Sequence, residues 1–299
     1  MMRHRALVLA LVFGLRPAHA QDLGALRALL EGRIARAPTG AAVGLYYRSL
    51  SGSDSLLVNA RARFHAASTM KVPVMIQLFR DADAGRLRLD DSLTVTKTFT
   101  SLFDGTPFDV DKADDSDSTL YGQVGRRVRV RDLLELMITV SSNLATNNLI
   151  QQVGAARADR TAHELGADSI RVLRGVEDGK AYRAGMNNTT TARDLGVLLA
   201  AIAQGKAASP ASCREMLAIL GRQHFTEGIP AGLPPPPGTR VFHKTGWIEG
   251  VVYHDAAIVE LPAGKRYVLV VTTGAIKPDS AAYGLVADLS RLVYEARRP

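Results

Sequence analysis

Strand-like segments stand near both ends of this chain, and a long, mostly helical segment separates them. Alternating apolar residues predict two strands early in the chain and three late, over residues 41–50, 55–60, 239–247, 251–261 and 266–274. From about residue 64 to about residue 205, apolar residues recur mainly at helical spacing. If the five strands share one sheet, the helical segment must be an insertion into it.

Helical periodicity also predicts a first helix over Asp22–Ala37 and a last helix over Ser280–Arg297. The order helix, two strands, helical insertion, three strands, helix predicts a mixed α/β (α+β, three-layer) fold. In it, a five-stranded antiparallel sheet is flanked by helices, and the first and last helices pack together on one face. We expect a single domain over residues 21–299, with an α/β lobe at 21–63 and 206–299 and a helical lobe at 64–205. An apolar content of 46% in 299 residues allows a large core.

Residues 1–20 have the pattern of a secretory signal peptide. Arg3 and Arg5 form a basic region, residues 6–15 are apolar, and Ala18-His19-Ala20 is a small-x-small cleavage site. An uncleaved membrane anchor is the alternative, but a membrane-spanning helix needs about 20 apolar residues. The pattern therefore favours cleavage before Gln21, no stable membrane anchor, and a periplasmic or extracellular location.

Composition excludes several classes of function. The formal net charge is +8, and loss of three arginines with the signal would leave +5. Basic residues are dispersed and are not interleaved with aromatic residues, so nucleic-acid binding is not indicated. Cys213 is the only cysteine, so no internal disulfide is possible, and we expect it half-buried in a helix. The seven histidines lack metal-ligand spacing, so we expect neither a metal nor another cofactor.

Ser68 and Lys71 stand three residues apart at the start of an apolar helical segment. Residues at this spacing share a helix face, and a lysine among apolar neighbours has a lowered pKa. As a neutral amine, Lys71 could take the proton of the Ser68 hydroxyl and so activate a nucleophile. The unpaired N–H groups of the first helical turn would favour an oxyanion beside Ser68.

Two further motifs and two polar loops complete the pattern. Ser141-Ser142-Asn143 caps the junction between two predicted helices, and Lys244-Thr245-Gly246 lies within a predicted strand. Residues 105–125 are predicted to form an extended acidic loop, which is either simply solvated or borders a site. Residues 172–188 are predicted to form a second long polar loop, which contains Glu177 and Asp178.

With these three motifs in this order, residues 21–299 resemble a class A β-lactamase or a related penicillin-recognising serine hydrolase. The resemblance implies a role for each residue that matches a motif position. In the covalent chemistry, Ser68 is the acylated nucleophile, Lys71 shares its proton, and Ser141 passes a proton to the leaving nitrogen. In substrate binding, Asn143 holds the substrate side chain, Lys244 and Thr245 bind the substrate carboxylate, and the N–H groups of Ser68 and Trp247 form the oxyanion hole. Gly246 is expected to let the ligand lie close to its strand.

The chain departs from the family pattern at three points. Ser142 replaces the usual aspartate of the second motif, and the separation between Ser68 and Ser141 is longer than usual because of the acidic loop. The deacylation loop of the family usually reads Glu-x-x-x-Asn, whereas Ala181 stands four residues after Glu177. Glu177 is the expected general base, with Asp178 as its competitor, and both could instead be solvated loop acids. Asn187 or Asn188 could replace the missing asparagine.

The resemblance implies a monomer that hydrolyses small-molecule β-lactams through an acyl-enzyme on Ser68. Two alternatives use related chemistry. A D-alanyl-D-alanine carboxypeptidase would be acylated by a peptide substrate, and a penicillin-binding sensor domain would bind its ligand without turnover. The intact Ser68–Lys71 pair favours an enzyme over a non-catalytic binding domain.

Overall fold

A computed structural model describes residues 18–235 and 238–298 of the chain. Its helices are α1 (Ala18–Ile34), α2 (Lys71–Asp83), α3 (Val130–Thr139), α4 (Asn143–Val153), α5 (Ala155–Glu164), α6 (Gly179–Arg183), α7 (Ala192–Ala203), α8 (Pro210–Leu220) and α9 (Asp279–Arg297). Its strands are β1 (Ala42–Ser49), β2 (Ser55–Val58), β3 (Phe64–His65), β4 (Ser92–Thr94), β5 (Thr98–Thr100), β6 (Pro107–Asp109), β7 (Arg127–Arg129), β8 (Thr189–Thr190), β9 (Arg240–Ile248), β10 (Val252–Glu260) and β11 (Arg266–Gly274).

The early and late strands form one five-stranded antiparallel sheet in the order β2-β1-β11-β10-β9, which confirms the predicted fold. Side chains alternate between its two faces, as the period of a strand requires. On β1, Leu45 and Tyr47 belong to the core beneath one face, whereas Tyr46 belongs to the core beneath the other. Leu45 pairs with Val271 of β11, so strands from the two ends of the chain share the same core.

Helices cover both faces of the sheet. Leu26 and Leu30 of α1 pack with Leu285 and Leu289 of α9 on one face, which confirms that the terminal helices pack together. The other face packs against α7, and beyond it lies the apolar core of the helical lobe, which includes α2, α3 and α4. In residues 18–235 and 238–298, no helix is both long enough and apolar enough to span a bilayer.

Several local predictions differ from the structure. The acidic segment 105–125 is not a plain extended loop, since it contains β6 and two short 3-10 turns. Cys213 is buried rather than half-buried, because it lies on the face of α8 that meets the helical core. The first helix is described over Ala18–Ile34, so it ends three residues before the predicted Ala37. Residues 1–17 of the predicted signal and residues 236–237 of a predicted proline-rich connector lie outside the described residues.

Candidate active site

Ser68 lies in a 3-10 turn, Ala67–Met70, between β3 and α2. The turn is tied by the Thr69 amide and the Thr69 hydroxyl, which both donate to the carbonyl of Ala66 at 3.1 and 2.6 Å. The prediction that Ser68 stands at a helix start is therefore close, because α2 begins three residues later. The turn presents Ser68 to a cleft between the sheet and the helical lobe.

Gly246 lets β9 pass directly against this turn. A Cβ atom on Gly246 would lie 2.9 Å from Thr69 Cγ2, 3.0 Å from Thr69 N and 3.1 Å from Ala66 O. These separations are shorter than normal carbon contacts, so only glycine fits without displacing the turn. The space that a Cβ atom would need is thus filled by the backbone that carries Ser68. That Gly246 also lets a ligand lie close to β9 stays a prediction.

Lys71 is fully buried and points toward the second motif. Its Nζ donates to Ser141 O at 2.6 Å, Ser141 Oγ at 3.2 Å and Asn143 Oδ1 at 2.9 Å. These bonds aim the Lys71 amine at Ser141 and Asn143. Burial lowers the pKa of Lys71 to about 7, against the opposing attraction of Asp115 and Glu177. A substantial neutral fraction of Lys71 is thus present near neutral pH.

Lys244 approaches Ser141 from the sheet side. Its Nζ donates to Ser141 Oγ and to the Thr245 carbonyl, each at 3.0 Å. Lys244 is fully buried, and burial, followed by repulsion from Lys71, lowers its pKa well below the ordinary value. The Ser141 hydroxyl therefore lies between two lysine nitrogens, one from α2 and one from β9.

Glu177 joins this network through Asn143. Asn143 Nδ2 donates to Glu177 Oε1 at 2.9 Å, while its Oδ1 accepts from Lys71. Loss of solvation in the cleft raises the pKa of Glu177, and repulsion from Asp114 adds to this, whereas Lys71 opposes it. Glu177, the predicted base, and Lys71 therefore both hydrogen-bond to the side-chain amide of Asn143.

Asp178, the neighbouring acid, has a different place. It is buried, and its carboxylate accepts from Ser101 Oγ at 2.9 Å, from Leu102 N at 2.8 Å and from Ala181 N at 3.0 Å. The reading of Asp178 as a solvated loop acid is therefore wrong, because it caps α6 and ties that helix to the segment after β5. Asp178 also lines the smaller cavity beside Ser68, but its carboxylate is used by these three bonds, so Glu177 is the acid of this pair that is bonded to Asn143.

Asn187 and Asn188 do not replace the missing asparagine of the deacylation loop. Asn188 Oδ1 accepts from the amides of Leu173 and Arg174, at 2.8 and 3.2 Å. Asn187 Oδ1 accepts from Arg174 Nη2 at 2.9 Å. Both side-chain amides therefore bind residues at the start of this loop, and neither hydrogen-bonds to Glu177.

Three residues at the site have positive φ angles although none is glycine: Ala67 at 44°, Ser141 at 60° and Glu177 at 61°. Each such conformation costs about 1–3 kcal/mol and persists only where the surroundings impose it. Ala67 directly precedes Ser68, Ser141 carries the hydroxyl between the two lysines, and Glu177 carries the carboxylate in the cleft. Backbone strain is thus stored in the segments that aim these three side chains.

Ser68 borders two cavities, of about 360 and 640 Å³. Asn143, Glu177 and Trp247 line both of them, and Thr245 and Ser141 line the larger one. Lys244 lines neither cavity, so it reaches the cleft through Ser141. Trp247 is half exposed and its indole N–H donates to Asp279 Oδ2 of α9 at 2.9 Å. Six of the predicted site residues thus line the two cavities: Ser68, Ser141, Asn143, Glu177, Thr245 and Trp247.

Asp115 is a site residue that sequence reasoning missed. Its carboxylate accepts from the amides of Asn143 and Leu144, each at 2.8 Å, so the acidic loop borders the site. The missing aspartate at position 142 is the one signal that could have prompted a search for it. Across the described ranges, 18–235 and 238–298, no group of three acidic, histidine or cysteine side chains is arranged to hold a metal.

Comparison with known proteins agrees with this geometry. A family model described as the beta-lactamase enzyme family matches residues 25–296. The chain belongs to that family. It is 24% identical over 261 residues to a β-lactamase of Streptomyces albus G, with 86% of this chain and 80% of that protein covered.

Solved structures of this fold extend the comparison. A β-lactamase from Sphaerobacter thermophilus DSM 20745 is 29% identical with a TM-score of 0.76, over 92% of this chain and 97% of that one. The protein PBP-A is 31% identical with a TM-score of 0.77, over 91% and 95% of the two chains. A variant of PBP-A is known as an acyl-enzyme complex with penicillin G.

Proposed function

We propose that this member of the beta-lactamase family is a serine β-lactamase that opens the β-lactam amide through a Ser68 acyl-enzyme. The observation that carries the proposal is the hydrogen-bonded chain from Lys71 through Ser141 to Lys244, beside Asn143 and Glu177, at the cleft that holds Ser68. Relatives named β-lactamase support the substrate class. The proposal includes export directed by residues 1–20.

Acylation begins when Ser68 Oγ attacks the β-lactam carbonyl carbon. The hydroxyl proton passes to the neutral amine of Lys71, whose lowered pKa suits this transfer near neutral pH. The N–H groups of Ser68 and Trp247 receive the oxyanion. Ser141 then gives its proton to the leaving nitrogen and recovers one from Lys71, so the amide bond breaks and a Ser68 ester remains. Thr245 receives the substrate carboxylate at the wall of the larger cavity.

Deacylation needs a base that activates water near the ester. Glu177 meets this need because it lines both cavities with Ser68 and is held by Asn143 Nδ2. The water would lack the second amide that Glu-x-x-x-Asn loops provide. We therefore expect competent acylation followed by slow deacylation or a narrow substrate range.

The discriminating experiment follows a chromogenic cephalosporin with purified protein. Many turnovers per molecule are expected from a lactamase, whereas one stoichiometric burst would favour the carboxypeptidase or sensor alternative. The similarity to PBP-A is the observation that supports this alternative. Intact-mass analysis after penicillin treatment should reveal an adduct, and Ser68→Ala should form none. The same adduct in Ser68→Ala would place the nucleophile elsewhere.

Glu177→Gln separates the two chemical steps. We expect acylation at a near-normal rate and accumulation of the acyl-enzyme, because the amide cannot take a proton from water. The matched control is Glu31→Gln, which alters an exposed acid that pairs with Arg27 on α1. Asp178→Asn is unsuitable as a neutral control, because it would loosen the cap of α6. If Glu177→Gln turns over β-lactam like the parent protein, another group is the base.

A further inference from the structure

The carboxylate of Asp115 lies at the N-terminus of α4, although Asp115 belongs to the acidic loop 28 residues before Asn143. The first amides of a helix have no partner within the helix, and a nearby anion stabilises them. Asp115 Oδ1 accepts from Asn143 N and Oδ2 from Leu144 N, each at 2.8 Å. Ser142 Oγ accepts from the next amide, that of Ala145, at 3.2 Å. Two side chains from different segments therefore share the cap of one helix.

The same loop also fixes the Asn143 side chain. Asn143 Nδ2 donates to the carbonyl of Asp114 at 3.1 Å as well as to Glu177, and Oδ1 faces Lys71. The backbone amide and the side-chain amide of Asn143 are thus both held by consecutive loop residues. A turn of the Asn143 side chain away from Lys71 and Glu177 would break its bond to Asp114, and a shift of the Asn143 backbone would break the bond to Asp115.

These contacts explain how the second motif works with serine in its middle position. An aspartate at position 142 would be the N-cap of α4 and would carry the capping carboxylate itself. We propose that Asp115 supplies this carboxylate from the acidic loop and is a positioning residue for Asn143, and through it for Lys71 and Glu177. The inference rests on the proposed acylation of Ser68.

The surroundings of Asp115 fit this role. It is half-buried, and the Tyr121 hydroxyl lies 3.1 Å from its Oδ2, so the carboxylate is held from the loop side as well. Asp114, Asp115 and Ser116 line the larger cavity with Ser68. The acidic loop, which lies between the first and second motifs, therefore also supplies the carboxylate that the second motif lacks at position 142.

An exchange of two side chains tests the proposal. Asp115→Ser should lower the rate of Ser68 acylation by a fluorescent penicillin by about 10- to 150-fold, as expected for loss of a charge-assisted hydrogen bond. Ser142→Asp alone should also slow acylation, because it places a second carboxylate beside Asp115. The double variant Asp115→Ser/Ser142→Asp should recover most of the rate, since one carboxylate again caps α4. A residue that served only to fold its own loop would not be rescued from position 142.

Asp111→Ser is the matched control. Asp111 lies in the same loop, is exposed, and accepts from Ala113 N at 2.9 Å, a capping bond that serine can also make. We expect parent-like acylation from it. Melting curves identify any single variant that does not fold, and the double variant is then compared directly with the parent protein.

Acylation of Asp115→Ser at the rate of Asp111→Ser would overturn this inference alone. A folded double variant that stays as slow as Asp115→Ser would also overturn it, because a carboxylate at the cap would then be insufficient. If the fluorescent penicillin does not label the parent protein at all, the proposed function is overturned, and this inference with it.

Discussion

Ser141 Oγ lies 3.2 Å from Lys71 Nζ and 3.0 Å from Lys244 Nζ, so one hydroxyl joins two buried lysines. If both lysines were protonated, two positive charges that share one hydrogen-bonding partner away from water would repel each other, and burial already disfavours each charge. At least one amine is therefore readily neutral, and a neutral amine can accept a proton from Ser141 or Ser68. In the proposed mechanism, the residues of the three motifs can pass protons because burial lowers the pKa values of the two lysines.

The pH dependence of acylation should report the protonation of Lys71. Since burial lowers the pKa of Lys71 to about 7, the acylation rate constant should fall as the pH falls through about 7. Three charged groups face this amine: Asp115 and Glu177 raise its pKa, and Lys244 repels it. Glu177→Gln removes one raising charge, so the acid limb should move to lower pH. Stopped-flow acylation at a series of pH values would measure the shift.

Glu31→Gln should keep the acid limb where the parent protein has it. A limb that stays in place in Glu177→Gln, or moves to higher pH, would mean that a group other than Lys71 titrates in the acylation step.

At the scale of the elements, β9 and the Ser68 turn form one unit. Gly246→Ala should slow acylation strongly, because its methyl group would press on the Thr69 amide and the Ala66 carbonyl and move Ser68. Overpacking of this kind typically costs about 1–3 kcal/mol in stability as well. The control is Gly274→Ala on β11, where a Cβ atom would make an ordinary 3.4 Å contact with Phe64. Equal acylation rates for the two variants would contradict the close fit.

Local motifs explain which elements could be predicted. Ser68 and Lys71 lie three residues apart in a 3-10 turn and the helix that follows it, and Ser141 and Asn143 lie two residues apart at the start of α4. The short chain between them keeps each pair close together before any tertiary contact forms. Asp115 reaches Asn143 from a segment without periodicity, where spacing contains no information about direction. The neighbours Glu177 and Asp178 look equivalent in sequence, but the positive φ of Glu177 sends them to different partners.

At the scale of the whole molecule, His254 connects the sheet to the segment that leads to Ser68. Its Nε2 lies 2.8 Å from the carbonyl of His65 on β3, and its Nδ1 accepts from the Thr273 amide on β11 at 3.2 Å. This arrangement requires a neutral ring with its proton on Nε2, because a proton on Nδ1 would face the Thr273 N–H. The ring is fully buried, which agrees with a pKa that burial lowers from 6.5 to about 4.

Folding stability should therefore decrease as the pH falls from about 6.5 to about 4. In this window the unfolded chain binds a proton at His254 and the folded chain does not, so protonation favours unfolding. Above pH 6.5 both states are neutral and the effect vanishes. The contribution of His254 is at most about 1.4 kcal/mol per pH unit. His254→Gln should flatten this part of the curve in urea unfolding at a series of pH values, since glutamine offers the same donor and acceptor without titrating. The exposed His224→Gln is the control, and if it flattens the curve as much as His254→Gln does, His254 is not the source.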